Sequence, residues 1–291
     1  MIGDMRRSVL YVPCDSETKI GRAARIPADV LLFNLEDGVA ASHKDAARAA
    51  IARALGGGGL GGREHVVRIN SLASDTGARD LAAVVPGKPD GICLPKIEGA
   101  GQVEEADARI RDLEILHGIP EGTIGLHAMV ESAAGVLAAA EIAAASPRMA
   151  SLIFGSADFA LDLRCRPGKD RAEFLLAMQM LVLAARAAGI DAIDAPCFDI
   201  RDPEQLRRES AAARRLGFDG KSALHPGQLD VIHEAFDVSP EDLAWAEKVL
   251  EELDAAERRG RALAVLDGTL VDNPHRAAAL RILRRRPAGR K

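Results

Sequence analysis

This chain predicts an α/β fold, a (β/α)₈ barrel with a C-terminal helical extension, on three observations. Eight short apolar and β-branched runs recur along its 291 residues. Longer Ala-, Arg- and Glu-rich segments separate most of them, with apolar residues at three- and four-residue spacing. The length covers the roughly 250 residues that such a TIM barrel needs, and 48% of the residues are hydrophobic, enough for a full core.

The strands read as 8–13, 30–37, 65–70, 91–96, 124–132, 151–158, 191–197 and 220–226. Most are near-continuous apolar stretches, the pattern of parallel strands covered by helices on the outside. Helices are predicted over 43–55, 101–116, 133–145, 172–188 and 203–216. Ser42 and Asp75 are read as N-caps, Pro203 as a first-turn residue, and Gly189 and Gly217 as stops. The glycine-rich stretch 56–62 precedes a strand and lacks a following Lys-Ser/Thr, so it reads as a flexible connection rather than a phosphate loop. The barrel is expected over 1–235. Residues 236–291 are expected to form an appendage, with a long amphipathic helix over 240–260 and a last helix from Pro274. It exceeds what barrel closure needs, and is expected to pack on a neighbouring subunit or cover the barrel mouth.

Composition narrows the partners. A net charge of −5 with 28% charged residues provides no basic field for a nucleic-acid backbone. The run Arg284-Arg285-Arg286, with Arg281, Arg290 and Lys291 around it, reads as a solvated tail. The uncharged stretch 174–185 is too short to span a bilayer. Asp4, Arg6 and Arg7 interrupt the start, with no apolar export segment after them. Cys14, Cys93, Cys165 and Cys197 have neither CxxC nor zinc spacing and read as reduced thiols. The expectation is a soluble cytoplasmic protein.

Barrel active sites form at the C-terminal ends of the strands, so polar residues there take priority. Met129-Val130-Glu131-Ser132 and Gly155-Ser156-Ala157-Asp158 lie one βα period apart. Neighbouring strand ends open onto one face, so Glu131 and Asp158 are expected to converge on a hard cation, Mg²⁺ or alternatively Mn²⁺. Other strand ends carry Glu36 and Asp37, Arg68 and Asn70, Lys96, Asp194 and His225. Arg68 presents a planar donor fork suited to a carboxylate or developing alkoxide. Its alternative is an ion pair with Glu36 or Asp37. Lys96 and His225 are read either as supports or as direct contacts, and the Pro after His225 favours support.

Several segments together resemble the citrate lyase β-subunit-like family of acyl-CoA lyases, within the HpcH/HpaI aldolase superfamily. They are Arg7-Ser8-Val9-Leu10-Tyr11-Val12-Pro13, Asn34-Leu35-Glu36-Asp37-Gly38-Val39-Ala40, Val67-Arg68-Ile69-Asn70 and Leu94-Pro95-Lys96. Val130-Glu131-Ser132-Ala133-Ala134-Gly135, Phe154-Gly155-Ser156-Ala157-Asp158 and Gly217 through Lys221 to His225-Pro226 continue the series in order. The likeness runs from about residue 6 to residue 280 and is closest to stand-alone citramalyl-CoA and malyl-CoA lyases. Gly38-Val39-Ala40-Ala41, Asn70-Ser71 and Asp267-Gly268 leading into Val271-Asp272 carry that finer likeness.

The resemblance implies a barrel that is usually trimeric, with Mg²⁺ on Glu131 and Asp158 and Arg68 facing the substrate oxygen. It implies that Asp272, lent by a neighbouring subunit, is the catalytic acid, and that Tyr11 and Arg22 contact coenzyme A. Glu36, Asp37, Lys96 and His225 would support the site, and the backbone at Ala157 and Asp158 would bind a free carboxylate. The implied reaction is reversible cleavage of citramalyl-CoA or malyl-CoA to acetyl-CoA and an α-keto acid, pyruvate or glyoxylate. The alternative is a citrate lyase β component that cleaves a citryl-acyl-carrier protein to give oxaloacetate. A class II aldolase acting on free keto acids and an inactive acyl-CoA sensor are more distant rivals. One departure touches the acyl carrier: Pro13-Cys14-Asp15-Ser16 stands where the family usually has Pro-Gly and a nearby cation. Cys14 is read as either a packed or a reactive thiol.

Overall fold

Eight parallel strands close in sequence order into a barrel. They are β1 (Ser8–Pro13), β2 (Val30–Asn34), β3 (Glu64–Arg68), β4 (Gly91–Leu94), β5 (Gly125–Val130), β6 (Met149–Phe154), β7 (Asp191–Asp194) and β8 (Gly220–Ala223). Ser8 opposite Lys221 closes the ring. The computed structural model describes residues 5–285. The first four residues, read above for export, and Arg286, Arg290 and Lys291 of the basic run lie outside the described residues.

Each strand alternates faces, as a two-residue period requires. Val9, Val30, Leu32, Val66, Cys93, Met129, Ile153 and Ile193 fill the barrel axis. Their chain neighbours Leu10, Leu31, Phe33, Val67, Leu152 and Phe154 pack into the larger core under the helices. Both faces are buried, which is why the strands read as unbroken apolar runs.

All eight predicted strands are present, but most end earlier than expected. The residues after β2, β4, β5 and β6 leave the ladder and build the mouth. Asp158 is the clearest case: it lies in the first turn of the helix Ser156–Asp162, not at a strand end. The predicted helix 133–145 breaks at Ala138 into Ala133–Leu137 and Ala139–Ala144. Ser42 is not a cap, because a 3₁₀ turn at Ala41–His43 makes His43 the N-cap. Ser74 rather than Asp75 caps Asp75–Val84, accepting the Gly77 N–H, and Asp75 sits in the first turn, where the helix dipole favours an acid. Gly189 and Gly217 end their helices in left-handed conformation, at φ 72° and 100°.

Two of the interior charge clusters involve the lower barrel and its β7–β8 side. At the N-terminal end of the barrel, Arg6 binds Glu64 at 2.7 Å and Asp191 at 2.6 Å. His127 Nε2 stands 3.5 Å from Glu64, and its Nδ1 is 2.8 Å from the Ser151 hydroxyl. Gly91 makes room for that ring, since a Cβ there would meet Nε2 at 2.6 Å. Beside β7 and β8, Lys221 is fully buried and donates to Asp194 at 2.7 Å and Glu209 at 3.0 Å. Arg171 pairs with the same Asp194 at 2.9 Å. Asp194, expected at the mouth, is thus consumed in a structural cluster.

The described residues divide into two compact units, one ending at Phe236 and the other beginning at Asp237. The second has its own core of Ala246, Val249, Leu253 and Ala256 on the helix Pro240–Arg258, with Ala264, Val271 and Ala279. A hairpin, β9 (Ala264–Leu266) with β10 (Thr269–Val271), precedes the helix Asn273–Arg284. It turns through Asp267-Gly268, both at positive φ, the usual dipeptide for a two-residue hairpin loop. Three-residue strands carry too little periodicity to be read from sequence, although that dipeptide was a usable signal. No described helix is long and apolar enough to cross a membrane.

Candidate active site

Glu131 follows β5 directly and is 4% exposed. Its Oε1 accepts the Lys96 N–H at 2.8 Å and lies 3.5 Å from Arg68 Nη2. That N–H reaches the acid because Lys96 adopts a left-handed backbone, φ 53°. A non-glycine residue held there costs on the order of 1 kcal/mol or more, which the surrounding loop must over-determine. Gly155, after β6, lies against the same acid: a Cβ at Gly155 would sit 2.4 Å from Glu131 Oε2.

Burial, followed by the charges of Asp158 and Glu36, pushes the Glu131 carboxyl up to about 7 against the opposing pull of Arg68 and the Lys96 N–H. Asp158 is therefore close enough for its charge to be felt at Glu131. Arg68, 5% exposed on β3, binds Glu36 Oε2 at 2.9 Å. Lys96 Nζ is 3.5 Å from Glu36 Oε1, and burial, which lowers its pKa, is outweighed by Glu36, Asp37, Asp158 and Glu131, which together raise it. Glu36, Glu131 and Asp158 with Arg68 and Lys96 form one charged group at the C-terminal end of the barrel.

Glu131 and Asp158 are two carboxyl groups in one electrostatic neighbourhood, the first of them lifted mainly by burial. Their hard oxygens fit Mg²⁺ or Mn²⁺, which fill remaining positions with water or substrate. No group of three or more His, Cys, Asp or Glu among the described residues could hold a metal ion, so a cation here would rely on such open positions.

Other expected residues are placed variously. Tyr11 turns inward against the axial core, its hydroxyl 3.8 Å from Met129 Sδ, and burial raises its phenol pKa. Ala157 is exposed in the same helical turn as Asp158. Asp37 is exposed, and its N–H donates to Glu36 at 2.7 Å. His225 is exposed beyond β8, and its Nδ1 accepts the Gly227 N–H at 3.0 Å, a bracing role for that turn. Arg22 lies on the exposed side of Glu17–Ala23. Asp272 caps the helix Asn273–Arg284, with His275 Nδ1 2.6 Å from its Oδ1. Cys14 is 1% exposed and burial pushes its thiol up to about 12, the state of a packed rather than a reactive thiol.

Sequence reading missed Lys44. Its Nζ donates at 2.6 Å to the carbonyls of both Leu35 and Glu36, tying down the loop that carries Glu36. The signal was available, since a lysine in a first helical turn opposes the helix dipole. Asp80 was missed as well. Fully buried, it accepts from Asn70 N–H at 2.9 Å and Arg48 Nε at 2.8 Å, fixing the segment after β3. A cavity of about 350 Å³ adjoins the site, walled by Ser156, Ala157, Ala160, Phe174, Pro196 and Cys197, but neither Glu131 nor Asp158 lines it.

This geometry can be set beside known proteins. A model of the HpcH/HpaI aldolase/citrate lyase family matches residues 7–226, and one described as a C–C bond lyase of the TIM-barrel fold matches 173–287. A (3S)-malyl-CoA thioesterase of Cereibacter sphaeroides is 36% identical over 277 residues, 95% of this chain and 93% of the relative. The citrate lyase subunit beta of Escherichia coli is 37% identical over 269 residues, 92% and 89% of the two chains. The crystal structure of CitE from Mycobacterium tuberculosis, in complex with magnesium, acetoacetate and coenzyme A, superposes with a TM-score of 0.77. It is 34% identical, covering 97% of this chain and 98% of that one. The chain belongs to the HpcH/HpaI aldolase/citrate lyase family and is a carbon–carbon lyase.

Proposed function

We propose that the protein is a Mg²⁺-dependent lyase that reversibly cleaves citramalyl-CoA or malyl-CoA to acetyl-CoA and pyruvate or glyoxylate. The observation that carries this reading is the buried Glu131, held by the Lys96 N–H and Arg68 within the field of Asp158. The magnesium and coenzyme A in the similar CitE complex support the cofactor and the thioester.

Glu131 and Asp158 would hold the cation, which when bound supplies Lewis acidity at the substrate oxygen destined to become a ketone. Arg68, fixed by Glu36, adds a second positive charge for that oxygen. The N–H groups of Ala157 and Asp158 are offered to the substrate's free carboxylate. By the family resemblance Tyr11 and Arg22 would serve coenzyme A, Tyr11 from the axial core and Arg22 from an exposed helix face, and Glu36, Asp37, Lys96 and His225 support the site. Carbon–carbon cleavage leaves a thioester enolate. Asp272 delivers a proton to its carbon, and removes that proton in condensation. In this reading Asp272 comes from the neighbouring subunit of a homotrimer. Reduced, buried Cys14, Cys93 and Cys197 support a cytoplasmic setting.

The near-equal identities to a citrate lyase β subunit and to malyl-CoA thioesterases support a second reading, cleavage of a citryl-acyl-carrier protein to oxaloacetate. The test is incubation of the protein with acetyl-CoA and pyruvate, glyoxylate or oxaloacetate, with and without Mg²⁺, following thioester consumption. Mg²⁺-dependent condensation with pyruvate or glyoxylate is expected. Activity confined to citryl-acyl-carrier protein selects the second reading. Release of free coenzyme A from malyl-CoA without keto acid would sink both.

A further inference from the structure

The candidate acid does not stand alone. Asp272 opens the helix Asn273–Arg284, and His275 occupies its third position. Glu or Gln is usual there, reaching back to the N-cap N–H. Here the imidazole Nδ1, when bare, accepts the Asp272 N–H at 3.3 Å, and it lies 2.6 Å from the Asp272 Oδ1. A glutamate in its place would repel the carboxylate. Two lone pairs facing each other at 2.6 Å would repel as well, so a proton must lie between nitrogen and oxygen. Two states satisfy that distance: a carboxylate accepting from Nδ1–H, or a carboxyl donating to bare Nδ1. They differ by one proton on the pair. In the single chain the side chains of His275 and Asp272 are 40% and 39% exposed.

We propose that His275 is the positioning residue that holds the Asp272 carboxyl and reloads it with a proton. This rests on Asp272 being the acid of the lyase reaction proposed above. In cleavage, the Asp272 O–H bond breaks as the C–H bond forms on the enolate carbon, leaving a carboxylate beside an imidazole whose one proton is on Nε2. Water takes that Nε2 proton and supplies one to Nδ1, so that the carboxylate is held by Nδ1–H. Nε2 then takes a proton from hydronium or a buffer acid while Nδ1 gives its own to Oδ1, and the pair returns to its starting state with the carboxyl recharged. Condensation runs the same transfers in reverse.

The experiment uses the full-length protein with Mg²⁺ and acetyl-CoA in D₂O, reading deuterium entry into the acetyl methyl group by mass spectrometry, beside steady-state kinetics. His275→Ala is expected to lower kcat and exchange by roughly 10²-fold, with KM for the thioester within about twofold, as expected when only proton transfer is lost. Added imidazole should restore part of both rates. His275→Asn, whose amide can still donate to Oδ1 but cannot relay, should keep the wild-type unfolding midpoint and remain slow. Wild-type exchange in His275→Ala overturns the inference. So does full recovery in His275→Asn, or a loss in His275→Ala that imidazole leaves untouched. The underlying reading fails separately: if Asp272→Asn still exchanges, Asp272 is not the acid. A dead Asp272→Asn beside a fully active His275→Ala defeats only the role of His275.

Discussion

Glu131 is kept in an environment that disfavours its own charge, with burial, Asp158 and Glu36 all pushing its carboxyl up to about 7. Such strain is typical of functional positions, which trade stability for a task. Glu131→Gln keeps the shape and removes the charge. It is expected to abolish turnover together with Mg²⁺ stimulation, while the unfolding midpoint stays level or rises. A residual rate that still responds to Mg²⁺ titration would count against the metal site. Lys44 makes a different case, because its ammonium donates to the backbone carbonyls of Leu35 and Glu36. Lys44→Met is expected to cost about 10–100-fold in kcat/KM, the usual effect of removing an outer support from a metal site. Loss of secondary structure instead, read by circular dichroism, would make Lys44 a folding residue. Glu36, Arg68 and Glu131 were legible because a barrel rule tells where to look. Lys44 was legible only as a lysine placed against its helix dipole, and Asp80 not at all, since their partners, backbone groups and the Arg48 side chain, are brought near only by folding.

At the scale of elements, the turns after β4 and β6 set the site. Lys96 accepts a left-handed backbone to present its N–H, and Gly155 leaves the space that Glu131 fills. Gly155→Ala would put a methyl 2.5 Å from Glu131 Cβ, with main chain on either side that cannot yield freely. The expected result is a loss of activity of at least tenfold together with a destabilisation of about 1–3 kcal/mol, read by thermal melting beside turnover. Wild-type kinetics in that variant would mean that the Glu131 position is not critical. Strand ends were overrun in the sequence reading for a related reason. Leu35 and Gly155 to Ala157 are as apolar or small as strand residues, and only hydrogen-bond partners show where a ladder stops.

For the whole molecule, two consequences follow from charges placed far apart in the chain. Burial pushes the Glu64 carboxyl up, but His127 and Arg6 outweigh it and hold the group at about 2, against an ordinary 4.5. A depressed carboxylate stabilises the fold above its unfolded pKa, and that contribution disappears as pH falls from about 4.5 toward 2. The linked loss is of order 3 kcal/mol at most. Unfolding midpoints from pH 7 to 3 should therefore fall less steeply in Glu64→Gln than in the parent, and parallel curves would refute the assignment. The second consequence concerns assembly. If Asp272 serves a neighbouring barrel, co-expressed Asp272→Asn and Glu131→Gln chains, each inactive alone, should regain activity at about one site in four by random assortment in a closed symmetric oligomer. Inactive mixtures that nonetheless co-purify would place Asp272 and Glu131 in the same subunit's site.

The amino-acid sequence by itself determined the barrel, the order of its eight strands and the strand-end residues to watch, because apolar period and strand-end chemistry are local properties. Only the tertiary structure decided which of those residues meet. It spent Asp194 on Lys221 and Arg171, turned Tyr11 onto the axis, moved Asp158 into a helical turn and set Lys44 beneath Glu36. The reason is physical: a side chain's orientation and partners depend on residues tens of positions away, and neither periodicity nor composition carries that information.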